Sequence, residues 1–254
     1  MSQWITRGVR KGIKTTPYPD KPETAAGVSP GLPSAGAYPP EAIASIVASC
    51  PSEALSEQDG RLAVNNRRCV HAYRCARRAL TPVAWSHGYE WATTAESDAQ
   101  RALEQPFRHS VHIIVVDAGD CGACLHEVRQ LNNPYYNMHR LGFFITPTPR
   151  HADVLLVVGP VTDHMRVALQ KTYDAMPTPK RVVAVGACAL SGGVFGPSFV
   201  SESGVANVLP VDVEVPGQPP PPLAILHGLL VAVGRAAPAS PMSSGTPRLK
   251  VVGP

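Results

Sequence analysis

No apolar run in this chain approaches the ~18 residues that a membrane-spanning helix needs, so any attachment to a bilayer is expected to come through partners. The opening residues, MSQWITRGVRKGIKTTPYP, lack the apolar core of a secretory signal, which predicts a cytosolic chain. In that compartment structural disulfides are uncommon, and the six cysteines read as metal ligands or redox groups. Charge is also scarce: 17% of residues are Asp, Glu, Lys or Arg, against ~25% in an average soluble protein. The net charge of +4 is concentrated in Arg7, Arg10, Lys11 and Lys14, and again in Arg67, Arg68, Arg74, Arg77 and Arg78. Such clusters can serve a nucleic-acid or lipid-headgroup contact, but neither carries aromatic interleaving or a nucleic-acid motif, so no nucleic-acid partner is expected and solvated or subunit-docking surfaces are the plainer reading. Neither GACALSGG nor SGGVFGPS has the Gly-x-Ser-x-Gly form of a hydrolase elbow, and no nucleophile-and-base pair stands out.

Proline is plentiful, at 27 residues, and clustered. Residues 1–38 are basic and then rich in Pro, Gly and Ser, a composition that predicts an extended arm, ordered if at all by a partner. Residues 39–80 hold two short helix-like pieces, each ending near a cysteine. Residues 81–110 form a connector in which TTAESDAQRALEQ has a helical start and spacing. From 111 to 236 the pattern is regular. The apolar runs His112–Val116, Asp153–Val158 and Arg181–Val185 suit buried parallel strands. Helix-like stretches fall at Cys121–Gln130 and Val161–Ala175, VANVLPVDVEV reads as a further strand, and PPLAILHGLLVAVG as a closing helix. Residues 237–254 read as a loose tail. Alternating β and α predicts an α/β fold, a parallel sheet with helices on both faces.

The turns after the carboxyl ends of parallel strands carry the chemistry of such folds. Cys121 and Cys124, in DAGDCGACLHEV, fall on the first of these turns, and Cys188, in VAVGACALSGG, on another. Three thiols from distant segments can therefore meet at one sheet edge. A thioredoxin-like couple would need only the Cys-x-x-Cys pair. Zinc stays open, because three thiolates and a fourth ligand suit it; so does the plain reading of each thiol as a small buried hydrophobe.

The segments DAGDCGACLHEV, PRHADVLLVVGPVTDHM, RVVAVGACALSGGVFG and VLPVDVEVPGQPPPPLAILHGLL together resemble the small, cluster-bearing subunit shared by respiratory complex I (the NADH-quinone oxidoreductase B type) and the group 4 membrane-bound [NiFe] hydrogenases. The Cys-x-x-Cys spacing is nearer the formate-hydrogenlyase type, and the resemblance covers roughly residues 111–236. It implies a flavodoxin-like sheet holding one [4Fe-4S] cluster through four cysteines. Three map onto Cys121, Cys124 and Cys188; at the fourth this chain has Gln218, in Val215-Pro-Gly-Gln-Pro-Pro220. A neutral amide brings neither the charge nor the soft donor of a thiolate, so the implied outcomes are a four-iron cluster with one weakly held iron, a [3Fe-4S] cluster, or none. The resemblance further assigns Glu127 as an acid beside the cluster or a proton relay, and places Arg150, His151 and Asp153 in its Pro-Arg-His-Ala-Asp segment, with Arg150 a cation near an anionic cluster.

The remaining cysteines follow the bacterial ferredoxin run, Cys-x2-Cys-x2-Cys-x3-Cys-Pro, whose last cysteine serves the other cluster. Cys50-Pro51 ends one such run, with Pro40, Ile43 and Ile46 at its earlier positions. Cys69, Ala72, Cys75 and Ala79 occupy the second. One cluster then has no ligands, while Cys50, Cys69 and Cys75 remain for a second, degenerate iron–sulfur site. This half resembles the ferredoxin-like subunit that accompanies formate hydrogenlyase. His71 could replace Ala72 as ligand, though a solvent-facing histidine among arginines is the plainer reading.

The expected function is an electron-transfer subunit, not catalytic alone, of a complex I-like or group 4 hydrogenase-like oxidoreductase. Its partners would be a hydrogenase-like large subunit and membrane subunits, with quinone or a ferredoxin as exchange partner, on the inner face of the cell membrane. The alternatives are a clusterless assembly subunit of such a complex and a zinc-bound structural module.

Overall fold

The computed structural model describes residues 3–79, 81–95, 107, 110–196 and 198–239. The first helix, α1 (Gln3–Lys11), buries no residue. A short strand β1 (Leu32–Pro33) follows, then α2 (Pro40–Ala48), the hairpin β2 (Leu55–Gln58) and β3 (Arg61–Val64), the single turn α3 (Arg74–Arg77) and β4 (Trp85–Ser86), which pairs with β1. The hairpin turns at Asp59-Gly60, both with positive φ, as a tight two-residue connection requires. Alpha helix α2 lays Ala42, Ile43 and Ile46 against Leu55, Leu62 and Val64, with Cys75 and Val83 completing this small core. Ile43 and Ile46 are completely buried. Two positions that the ferredoxin register gives to ligands thus serve as packing instead.

The larger unit is a six-stranded sheet of β5 (Thr93–Thr94), β6 (Val111–Asp117), β7 (Phe143–Ile145), β8 (Val154–Val158), β9 (Arg181–Val185) and β10 (Val213–Val215). Its order is β5-β10-β9-β8-β6-β7, parallel throughout except for β5 at one edge. Numbered within the parallel part, that is the 2-1-3-4-5 winding of flavodoxin-like folds, as expected from the sequence. The helices are α4 (Ala123–Gln130), α5 (Asp163–Ala175), α6 (Ala187–Ser191) and α7 (Pro222–Ala232). Side chains alternate across each strand. Val154, Leu156 and Val158 face one layer with α4 and α7; Leu155 and Val157 face the other, with Leu169 of α5 and Leu190 of α6.

All eleven residues of α7 are buried, as a helix apolar on every side must be. Its sheet-facing side is close-packed: a Cβ on Gly228 would lie 2.4 Å from Val215 Cγ2. The far side needs a cover, and this corrects the expectation for residues 1–38. Tyr18 and Leu32 are 2% exposed and join Tyr89, Trp91 and Ala92 over α7. Backbone contacts fix that strap: the Thr16 N–H donates to Tyr135 O at 2.8 Å, and the Arg140 guanidinium donates to Tyr18 O. The expected strand at VANVLPVDVEV reduces to β10, preceded by a 3-10 turn at Val205–Asn207. The helix expected in the connector falls on β5 and on residues 96–106, outside the described residues, as do residues 240–254 of the tail. Among the described residues no helix is long and apolar enough to cross a membrane.

Candidate metal centre

Asp117 ends β6 and turns the chain over the sheet edge. Its Oδ1 accepts the N–H groups of Gly119 and Asp120, and Asp120 Oδ2 accepts those of Gly122 and Leu125. These bonds set the loop that leaves Cys121 exposed and starts α4 with Cys124 fully buried beneath it. Across the edge, α6 starts directly after β9. Two bonds tie its start to the exit of β10, Gly186 N to Val215 O and Ala187 N to Gly217 O, both 2.8 Å. The Trp91 indole N–H holds the same exit through Pro216 O at 2.8 Å. Cys188 and Gln218 are thereby neighbours: the Gln218 amide Nε2 lies 3.4 Å from Cys188 Sγ and can donate to it.

Glycine makes the approach of these loops possible. Gly186 sits at φ 91°, ψ 155°, a region closed to other residues. A Cβ there would stand 2.5 Å from Cys124 Sγ, and one on Gly193 would stand 2.7 Å from Cys188 Sγ. Burial pushes both thiols up from their ordinary pKa. Asp120 and the other two sulfurs raise Cys124 further, whereas the Gln218 amide draws Cys188 back down. Glu127 stands one turn beyond Cys124, half-buried, and burial raises its carboxyl against the opposing pull of His126.

Arg150 does not belong to this edge. It is exposed on the 3-10 turn Pro149–His151 that leads into β8. In a parallel sheet, residues before a strand lie at the opposite edge from residues after one, and the five residues of β8 separate them by about 3.3 Å each. The proposed cation near the cluster is therefore misplaced. Asp153 accepts the His112 N–H at 2.8 Å and braces β6 against β8.

The other three cysteines come together as well. Cys50, Cys69 and Cys75 line one cavity with Ala72, Arg74 and Trp85. His71 is not solvent-facing: it is 8% exposed, its ring lies edge-on to Trp85, and burial drops its pKa to about 4. The aromatic rings of Tyr73 and Trp85, stacked at 4.4 Å, hold that loop inward. Sequence reasoning missed Arg67, which it read only as one charge of a basic cluster. The Arg67 guanidinium lies 3.1 Å from Glu214 Oε1 and donates to Leu190 O at 3.3 Å, while the Ser191 hydroxyl donates to Arg67 O at 2.9 Å. The loop carrying Cys69 is thus fastened to the helix carrying Cys188. No spacing signal could reveal a contact spanning 124 residues.

Among the described residues no three His, Cys, Asp or Glu side chains are gathered as tightly as a single metal ion requires. The zinc alternative therefore lacks its compact tetrahedral set. A polynuclear cluster makes a different demand, since each thiolate ligates its own iron and the sulfurs stand apart on the outside. Soft donors on loops kept free of Cβ atoms fit that demand at the sheet edge.

Residues 121–232 match the family described as NADH ubiquinone oxidoreductase, 20 Kd subunit. The chain is 43% identical over 135 residues to an uncharacterized protein of Methanocaldococcus jannaschii, covering 53% of this chain and 90% of that one. It is 42% identical over 122 residues to a probable membrane-bound hydrogenase subunit of Pyrococcus furiosus, covering 48% and 73%. Similarity to formate hydrogenlyase subunit 7 of Escherichia coli is 37% over 133 residues, covering 52% of each. With the sheet, its winding and these relatives in agreement, the chain belongs to the family of the 20 kDa subunit of NADH ubiquinone oxidoreductase.

Proposed function

We propose that the chain is the electron-carrying small subunit of a membrane-associated complex of the complex I and group 4 hydrogenase kind. In this reading Cys121, Cys124 and Cys188 hold an iron–sulfur cluster at the sheet edge. The observation that carries it is the meeting of the turns after β6, β9 and β10, with two thiols packed against glycine and the Gln218 amide on Cys188 Sγ. Relatives named as a membrane-bound hydrogenase subunit and a formate hydrogenlyase subunit support the setting.

When bound, such a cluster supplies one-electron transfer. The chain's own residues bind, shield and tune. Cys124 and Cys188 would give up their protons to become ligands, and Cys121 would be the exposed one of the three. Gln218 supplies a hydrogen bond to a ligand sulfur where relatives of the complex I type would supply a thiolate. Hydrogen bonds to sulfur and fewer anionic ligands both raise a cluster's potential. Glu127 offers a protonatable carboxyl one turn from Cys124.

A partner surface adjoins the site. The segment after α6 exposes Val194, Phe195, Phe199 and Val200, with Phe199 98% exposed. Apolar exposure of that kind marks an interaction surface, here for a hydrogenase-like large subunit, with quinone or a ferredoxin as exchange partner. Attachment to the inner face of the membrane would come through further subunits. A clusterless assembly subunit is the second reading, favoured by the Gln218 amide already engaging Cys188.

Anaerobic purification with iron and acid-labile sulfide analysis separates the two. The electron-transfer reading expects iron and sulfide that fall in Cys124→Ser and Cys188→Ser and are held more firmly in Gln218→Cys. Absence of iron and sulfide from the sheet site after reconstitution, with no gain in Gln218→Cys, would establish the assembly reading instead.

A further inference from the structure

The cavity of the small N-terminal unit is built around sulfur. Cys69 and Cys75 are 8% exposed and Cys50 is half-buried. Buried free cysteines ordinarily act as small hydrophobes, and a hydrophobe needs no donor aimed at it. Here one sulfur has such a donor: the Ala54 N–H points at Cys50 Sγ at 3.3 Å. The Trp85 indole N–H, on a residue of the same cavity wall, is buried with no hydrogen-bond partner. Donors on sulfur stabilise thiolates and the clusters they ligate.

The backbone is bent to present these residues. His71 and Tyr73 both adopt positive φ, 50° and 55°, at a cost of about 1–3 kcal/mol each. That bending turns Cys69, Ala72 and Cys75 toward one cavity although they are spaced by three residues without a continuous helix. One cation lies at the space: Arg74 lines it, and a guanidinium there favours an anionic occupant. The three sulfurs do not form the tight group that one ion needs.

We propose that Cys50, Cys69 and Cys75 hold a second iron–sulfur cluster, a three-iron one, whose vacant corner faces the Ala72 methyl group. Each thiolate takes one iron, and no side chain at Ala72 can retain a fourth. This site stands apart from the sheet-edge centre and does not depend on it.

The test uses the full chain with the sheet-edge ligands removed, Cys121→Ser/Cys124→Ser/Cys188→Ser, reconstituted anaerobically with ferric iron, sulfide and a thiol reductant. The expected result is about three irons per chain, with an EPR signal in the oxidised state, since an oxidised three-iron cluster has an odd electron count. Adding Cys69→Ser should abolish both. Adding Ala72→Cys instead should admit a fourth iron, silence the oxidised signal and produce one on reduction with dithionite. Should the triple variant not fold, Cys69→Ser in the otherwise unaltered chain should lose about three irons. The proposal is overturned if the folded triple variant takes up no iron, if its iron is indifferent to Cys69→Ser, or if the cavity binds one zinc in preference.

Discussion

Replacing Gly186 with alanine changes neither a ligand nor a charge, yet it should damage the sheet-edge centre. Two costs add. The backbone conformation, φ 91° and ψ 155°, is one that an L-residue pays about 1–3 kcal/mol to adopt. The new Cβ would also stand 2.5 Å from Cys124 Sγ, and relieving such overpacking in a filled core costs about 1–3 kcal/mol more. Gly186→Ala should therefore lose about 2–6 kcal/mol from a total stability of about 5–15 kcal/mol. Urea unfolding of the reduced, iron-free chain measures this directly. A control separates the two costs: Gly60 has a positive φ but open space around its missing Cβ, so Gly60→Ala should lose only about 1 kcal/mol. Reconstituted samples should then show that Gly186→Ala holds its sheet-edge iron less firmly and that Gly60→Ala holds it as the unaltered chain does. Stability within about 0.5 kcal/mol of the parent, together with unchanged iron, would refute the claim that Cys124 and α6 are packed as tightly as described.

Removing the Arg67 guanidinium takes a cation from the buried Glu214 carboxylate; because Arg67 itself is 30% exposed, Arg67→Ala should cost about 1–3 kcal/mol in urea unfolding, with Arg67→Lys restoring only part. Apo stability should fall as pH rises. Burial holds the Cys69 thiol at about 11, so its contribution is intact below the unfolded value of about 8.5 and is lost between that pH and about 11, a decline that Cys69→Ala should flatten. Iron uptake should instead rise with pH and release protons, since thiols that burial keeps protonated must ionise to bind; pH-independent uptake would contradict ligation by these cysteines. Phe199→Ser, at a fully exposed site, should leave stability within about 0.5 kcal/mol while weakening co-purification with a large subunit.

Much of the sheet was readable because β6, β8 and β9 are continuous apolar runs, the signature of strands covered on both faces. Once their order was known, the turns carrying Cys121, Cys124 and Cys188 followed from the parallel direction alone. Short elements escaped. Strand β7 has three residues and β5 has two, too few for any period to register. The cover over α7 escaped because Pro- and Gly-rich composition says nothing of where Tyr18 and Leu32 can be buried. Arg150 was assigned by motif register, although its place before β8 puts it at that strand's amino end, away from the turns that carry the cysteines. Gln218 was placed at the site by motif register, but its hydrogen bond to Cys188 Sγ depends on the bonds from Gly186 and Ala187 that bring the two loops together.

Arg67 has a consequence beyond stability. Its carbonyl is two peptide units from Cys69 and accepts the hydroxyl of Ser191, three residues past Cys188. Along that path only one hydrogen bond interrupts a covalent chain between the small unit's cavity and the sheet edge. Were both proposed clusters bound, this splice would be the shortest covalent route between them that the structure shows, crossing a single hydrogen bond.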